Sequence, residues 1–276
     1  MNPLPLASTA SRAPRVAIVL PVCNEAACLP RVLTELRPWA ARVNGVVAVG
    51  LNDCTDESAA IARAHGVIVG STPWRGYGGG CLAAMSAVRA HGGHPAAWIF
   101  MAADGAHDPA ELVRLVAAWR GGADLVLGQR TMRRANWAAL GHGRAISNVA
   151  LALWASMLAR QCYLDLGPYR LISDPLVRRL PWRETTWGWT IAPQVLAPAL
   201  GVRIAQFTVC ERPRLAGEQK VSRLGWRHSL RVGVGIAAAA WRASRHRARI
   251  VRATSAGAAA PASMPEGCRP DLSRCS

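Results

Sequence analysis

The chain has 276 residues, 51% of them hydrophobic and 18% charged, and a formal net charge of +17. That length and apolar share allow a substantial core, in one large domain or a domain with an appendage. The charge favours anionic partners, and the lack of an RNA-binding signature or zinc-finger spacing makes nucleic acid the least favoured of them.

Residues 1–14 are small, polar and Pro-bearing and read as disordered, with no basic stretch and apolar core of the kind that marks a signal peptide. The run VAIVL (16–20) suits a strand buried on both faces, and Pro21 ends it. Leu29, Val32, Leu33 and Leu36 then recur at helical spacing, with Pro30 tolerated in the first turn. A second strand at 46–49 feeds the turn LNDCTD and a helix over 58–65 closed by Gly66. A third short strand at 67–69 precedes the loop STPWRGYGGG and a helix over 81–90. A fourth strand at 97–101 leads into MAADGAHDP, where Asp108, Pro109 and Glu111 read as a capping box with Pro at the first helical position. That helix runs to Arg120, and a fifth strand follows at 125–127. The alternation of strand and helix points to an α/β fold with a mostly parallel sheet. Beyond Arg130 come a helix over 146–158, a strand within 202–209 and a basic helix over 225–249, and the chain from Thr254 onward reads as disordered.

Three of these strands end in Asn, Asp or Glu, and in an open α/β sheet such turns converge on a crevice outside the carboxyl ends of the strands. Asn24 and Glu25 follow the first strand; each serves equally as a ligand to a ribose or base and as a helix-start residue. In the second turn Asp53 or Thr55 is the expected helix N-cap, which leaves Asn52 and Asp56 as ligand candidates. Asp104 follows an apolar strand and precedes Gly105, a hard oxygen placed to meet Mg2+ or Mn2+ on a diphosphate. Gly78 and Gly79, within GYGGG, can bring backbone close to phosphate or simply punctuate a flexible loop. The eight cysteines form no CxxC, which fits a reduced cytosolic compartment. The richest apolar stretches, at 149–158 and 232–241, fall short of the ~20 residues a membrane span needs, so a soluble or peripheral protein is expected. Arg223, Arg227, Arg231, Arg242, Arg245, Arg247 and Arg249 surround the second of them, a pattern for lying on anionic lipid or for a core helix with a basic end. Lys220 is the sole lysine, and the Arg, Ala, Gly and Pro excess resembles a high-GC bacterial gene.

The ordered series VAIVLPVCNE, NDCTDES, GYGGGCLAAM, MAADGAHDP, DLVLGQR, YLDLGPYRLI, TWGWTIAPQ and RPRLAGEQKVS resembles family 2 glycosyltransferases, most of all the dolichyl- or polyprenyl-phosphate sugar transferases. The resemblance covers about residues 16–225. It implies a GT-A fold, a mostly parallel Rossmann-like sheet flanked by helices, here with a basic helical C-terminal extension. The boundaries expected are a disordered 1–14, a transferase domain over 15–225, a basic helix over 226–252 and a disordered tail over 253–276. The family implies a nucleotide-diphosphate sugar donor, a divalent metal, and a phosphorylated or lipid-linked acceptor. By the resemblance, Pro21, Asn24, Glu25, Asn52, Asp56, Gly78, Gly79 and Asp104 bind donor, and Asp104 holds the metal. Asp104, Arg130 and Lys220 carry the catalytic roles, while Arg144, Asp165, Arg170, Trp189, Arg214 and Lys220 meet the acceptor. Trp187 and Trp189 either stack on a sugar or acceptor or pack internally.

The chain also departs from the family. Leu51 stands where an Asp is frequent, Ala102 at the first Asp of Asp-x-Asp, Ala106 at a metal-binding amide position, Ala192 at a frequent acid, and Gln219 at the Ser before the loop lysine. These losses leave two readings: an inverting hexosyltransferase whose acceptor is already anionic, or a non-catalytic nucleotide-sugar or lipid-phosphate binder on the same fold. The first implies a cytoplasmic protein, peripheral at the inner face of the cell membrane.

Overall fold

A computed structural model describes residues 15–182, 184–186, 188–216 and 225–258, with side chains in the last stretch over 230–253. The expectations for 1–14 and for the chain beyond Ala258 lie outside these residues, as do those for Trp187, Gln219 and Lys220.

Seven strands form one sheet: β1 (Val16–Val22), β2 (Gly45–Asn52), β3 (Ile68–Thr72), β4 (Ala97–Phe100), β5 (Leu125–Gln129), β6 (Arg170–Ser173) and β7 (Ile204–Thr208). Their order is β3-β2-β1-β4-β6-β5-β7, and every pairing is parallel except those of β6 with β4 and β5. The apolar run of β1 is buried on both faces because helices cover the sheet from both sides. On one face Val16, Ile18 and Leu20 pack with α1 (Leu29–Arg42), α2 (Ser58–Ala64) and α4 (Leu112–Arg120). On the other, Ala17, Val19, Trp98 and Phe100 meet α3 (Tyr77–Ala90), α6 (His142–Ala159), α8 (Gly188–Leu196) and α9 (Gly225–Ala258). The short helices α5 (Asn136–Leu140) and α7 (Asp174–Arg179) complete the set.

Three expectations change. The strand β6 is absent from the sequence reading because its run is four residues long and opens on an arginine, which reads as loop. Helix α3 begins at Tyr77, so Gly78 and Gly79 lie in its first turn and not in a phosphate-binding loop. These glycines serve close packing. A Cβ on Gly80 would stand 2.9 Å from Asn52 Nδ2 and from Pro21 Cβ, and one on Gly50 would stand 1.8 Å from the Gly80 carbonyl oxygen. Gly79 donates its N–H to the Thr185 carbonyl at 2.8 Å, and a Cβ on Gly78 would stand 2.6 Å from the Glu184 carbonyl oxygen. Lastly, α9 is a single 34-residue helix that runs past residue 252 to Ala258. It packs on α8 and α6 through Ala239, Ala240 and Ala243, whose small side chains permit a close approach.

Candidate active site

Strand β1 lies between β2 and β4, so the chain order reverses at β1, the place where open α/β sheets bind ligands. The turns after β1 and β2 largely satisfy each other. Asn24, at φ +55°, exchanges two hydrogen bonds with Thr55, at 3.1 Å to its Oγ1 and 2.7 Å from its N–H. Asp56 accepts the N–H of Ser58 at 3.0 Å and that of Ala26 at 2.9 Å. Its carboxylate therefore meets the first N–H of α2 and clamps the two turns, while the N-cap position expected of Asp53 or Thr55 falls on Glu57, whose side chain makes no cap. Asp53, at φ +49°, pairs instead with Arg75 at 2.6 Å. Asn52 is buried, donating to the Val22 carbonyl at 2.9 Å and accepting the Gly76 N–H at 3.3 Å.

The turn after β4 differs. Asp104 uses one carboxylate oxygen to accept the Ala106 N–H at 3.1 Å, while its Oδ2 lies 3.6 Å from Arg214 Nη1. Arg214 Nη2 also pairs with Glu25 Oε2. One guanidinium thus joins the acid that follows β1 to the acid that follows β4. The segment 211–216 makes this possible by lying along the β4 turn. Arg212 N–H donates to the Ala106 carbonyl at 2.7 Å and Leu215 N–H to the Asp104 carbonyl at 3.0 Å. Gly105, at φ +81°, admits Leu215, whose Cγ would stand 2.3 Å from a Cβ there. Arg212 is fastened to Asp108 at 2.6 Å and Glu35 at 3.2 Å. Asp108 also accepts the Ala110 N–H at 3.0 Å, the expected cap, although Glu111 turns to Arg114 at 2.7 Å and leaves the reciprocal half of the box unmade.

Beside this turn opens a cleft of about 280 Å³, lined by Ala102, Asp104, His107, Arg130, Arg144 and Glu211 among others. Arg130 forks onto the buried Asp165, with Nε at 3.0 Å from Oδ2 and Nη2 at 2.9 Å from Oδ1, and reaches Glu211 Oε1 at 3.5 Å. Burial works against the charged guanidinium, but Asp165 and Glu211 outweigh it and hold the Arg130 pKa above the ordinary arginine value. Burial likewise pushes Asp165 up, yet Arg130 and a hydrogen bond from Asn148 bring its pKa below the usual value. Burial raises Glu211 to about 7 in spite of Arg130. His107 is lowered to about 4 by burial, stacks on Tyr169 at 4.6 Å, and accepts the Ala102 N–H at Nδ1, so the neutral ring carries its proton on Nε2. That nitrogen lies 3.8 Å from Glu211 Oε2.

The structure therefore brings Glu25, Asp104, Arg130, Arg144 and Arg214 to one place, with Asp165 behind Arg130 as its anchor. It does not bring Arg170 or Trp189 there. Arg170 is buried in β6, donating to the carbonyls of Thr190 at 2.5 Å and of Gly167, and burial lowers its pKa to about 10. Trp189 is buried against Trp182 at 4.2 Å and Phe100 at 5.8 Å, a core role. Pro21 and Asn52 sit behind the crevice against Gly80. Glu211 and His107 belong to the cleft without having been singled out in the sequence; the alternation of charge in CERPR beside a strand end was the available signal for Glu211.

As a metal site the cleft is sparse. Ala102 and Ala106 offer no side-chain donor, His107 Nδ1 is committed to the Ala102 amide, and no cluster of three His, Cys, Asp or Glu able to hold a metal occurs among the described residues. Asp104 alone fits an ion that keeps water and substrate oxygens as its other ligands.

Comparison with known proteins adds to this geometry. The family model Glycosyl transferase family 2 matches residues 17–174. Proteins named uncharacterized glycosyltransferases from Mycobacterium tuberculosis and Mycobacterium bovis are 32% identical over 214 residues, covering 75% of this chain and 89% of theirs. Among solved structures, glucosyl-3-phosphoglycerate synthase from Mycobacterium tuberculosis in complex with Mn2+, UDP-glucose and glycerol 3-phosphate superposes with a TM-score of 0.61 at 21% identity. The match covers 84% of this chain and 80% of that one. The same enzyme with Mn2+, UDP and glucosyl-3-phosphoglycerate gives a TM-score of 0.62 at the same identity and coverage. These likenesses fix the α/β architecture as GT-A-like.

Proposed function

The chain belongs to glycosyl transferase family 2 and is a glycosyltransferase, and on that premise we propose that it moves a hexose from a nucleotide-diphosphate sugar to a phosphate-bearing, lipid-linked acceptor of the polyprenyl-phosphate kind. The observation that carries the reading is the cleft's electrostatics. Arg130, Arg144, Arg212 and Arg214 line one space of about 280 Å³; carboxylates meet three of them, Arg144 pairs with none among the described residues, and Glu211, raised to about 7, adds little opposing charge.

The donor's nucleotide lies along the β1 and β4 turns, with its diphosphate toward Asp104 and Arg214. A divalent ion, Mg2+ or Mn2+, would be held by Asp104 together with the diphosphate, and when bound it would neutralise the leaving group's charge. Arg144 and Arg130 face the acceptor phosphate. An acceptor phosphate oxygen forms the new bond to the anomeric carbon as the bond to the diphosphate breaks, and the diphosphate departs with the electron pair. A phosphate is already anionic, so no side chain has to remove a proton, which accounts for alanine at 192, where an acid is frequent in the family. The protein's work is positioning and charge compensation, and a single displacement inverts the anomeric centre. Lys220, outside the described residues, extends the same basic segment as Arg214. A lipid acceptor implies a protein working in the cytoplasm, peripheral at the inner membrane face.

The test is incubation of purified protein with labelled nucleotide sugars, Mg2+ or Mn2+, and either polyprenyl phosphate or a small phosphate ester. Labelled lipid supports the proposal. Label only in the small ester moves the acceptor to soluble phosphates, and donor binding without transfer or hydrolysis marks the non-catalytic reading.

A further inference from the structure

Helices α6 and α9 pack against each other, and each turns an unusual face outward. On α6, Ile146, Ala150, Leu153 and Met157 recur at i, i+4, i+7 and i+11 and are all exposed. On α9, Leu230, Val234 and Trp241 do the same at i, i+4 and i+11. The six large side chains among these are 47–66% exposed, where a surface helix ordinarily presents polar residues. Beside the α9 stripe, on the same outward face, stand the exposed Arg231, Arg245, Arg249 and Arg252. None of the four pairs with a carboxylate among the described residues, whereas Arg242 is held by Glu184 at 2.8 Å. No acid occurs between residues 131 and 164, nor within 225–258. The opposite side of α9 is accounted for by Ala239, Ala240 and Ala243 in the core.

We propose that the outward faces of α6 and α9 form a membrane-docking surface for an anionic bilayer. The apolar stripes enter the headgroup–acyl boundary, and the arginines meet lipid phosphates. Two features favour lipid over a protein partner. The charge is of one sign over both helices, which suits a surface of uniform opposite charge. The apolar groups form narrow stripes, that of α9 edged by arginine, and not a broad dry patch. The inference does not depend on which acceptor is used.

The full chain is to be mixed with vesicles of phosphatidylcholine alone or with phosphatidylglycerol added, and floated on a density gradient. It floats with the anionic vesicles, stays behind with the neutral ones, and is released by high salt. The variant R231E/R245E/R249E/R252E weakens anionic-vesicle binding about tenfold or more. The variant L153S/M157S, on a different helix, weakens it while leaving salt sensitivity in place. All six positions face solvent, and circular dichroism checks that both variants remain folded. Equal flotation with neutral vesicles, no flotation of the parent chain, or flotation unchanged in the charge-reversed variant overturns the proposal. So does a dimer that L153S/M157S dissolves in the absence of lipid binding, since the face then belongs to a second copy. Because binding is read without donor or acceptor, its failure leaves the transfer assay unaffected.

Discussion

The turns after β2 and β4 look alike in sequence, each an apolar strand followed by Asn or Asp, yet they do different work. After β2, Asn52 and Asp56 spend their oxygens and amide on neighbouring backbone, at 2.9–3.3 Å, and so fasten β1, α2 and α3 together. After β4, Asp104 spends one carboxylate oxygen on the Ala106 N–H at 3.1 Å and turns the other to Arg214 at 3.6 Å. A polar residue at a strand end becomes a ligand candidate only when its local hydrogen bonds are counted and some capacity remains.

Experiments behind the cleft, at the two turns and at Glu211 press on that contrast. The largest effect is expected behind the cleft: Asp165→Asn leaves the buried Arg130 without its main partner and costs about 3–5 kcal/mol of stability, read by chemical denaturation. A pH titration of the parent chain carries the same signature, since the Asp165 pKa is lowered on folding. Its stabilisation is present above the ordinary carboxylate value and is lost as pH falls through the lowered one. Next comes the direct comparison of the two turns. Asp104→Asn is expected to lower kcat/KM about a hundredfold with an unchanged melting temperature. Asn52→Ala is expected to lose about 1–3 kcal/mol of stability, because the buried Val22 carbonyl and Gly76 amide lose their partner, with a small change in KM. If Asn52→Ala spares stability and abolishes donor binding, the two turns are equivalent after all. The smallest effect is on pH dependence. Glu211 is raised from 4.5 to about 7, so raising the pH through 7 ionises it and should increase the KM for an anionic acceptor a few-fold. Glu211→Gln should flatten that rise. The raised pKa also means that Glu211's contribution to stability is fully present below 4.5, declines as pH rises above it, and is lost once pH has risen through 7.

Much of the scaffold was legible in the sequence. Apolar runs identify six of the seven strands; those of β1, β2 and β4 lead into Pro, Asn or Asp, and β1 and β4, buried on both faces, need apolar side chains in both directions. The exception, β6, is short, and its first residue is an arginine whose charge is met by the carbonyls of Gly167, three residues before it, and of Thr190 in α8. The contact with α8 hid the fate of Arg170, which in sequence is one more cation after GPY. The cleft was half legible. Glu25 and Asp104 announce themselves as acids at strand ends, but Arg130 meets Asp165 35 residues away and Glu211 81 residues away. No local period encodes such pairings; they follow from β5 and β6 lying side by side and from the 211–216 segment crossing the β4 turn.

The touching backbones at Gly50 and Gly80 carry a consequence for how this molecule can change over time. A single methyl group at either position has nowhere to go, so drift there must move α3 bodily off the sheet, and Asn52 and Pro21 would move with it. Variation that retunes the proposed donor site without dismantling it is therefore confined to rim side chains such as Arg212 and Arg214, since backbone hydrogen bonds already fix the 211–216 segment to the β4 turn.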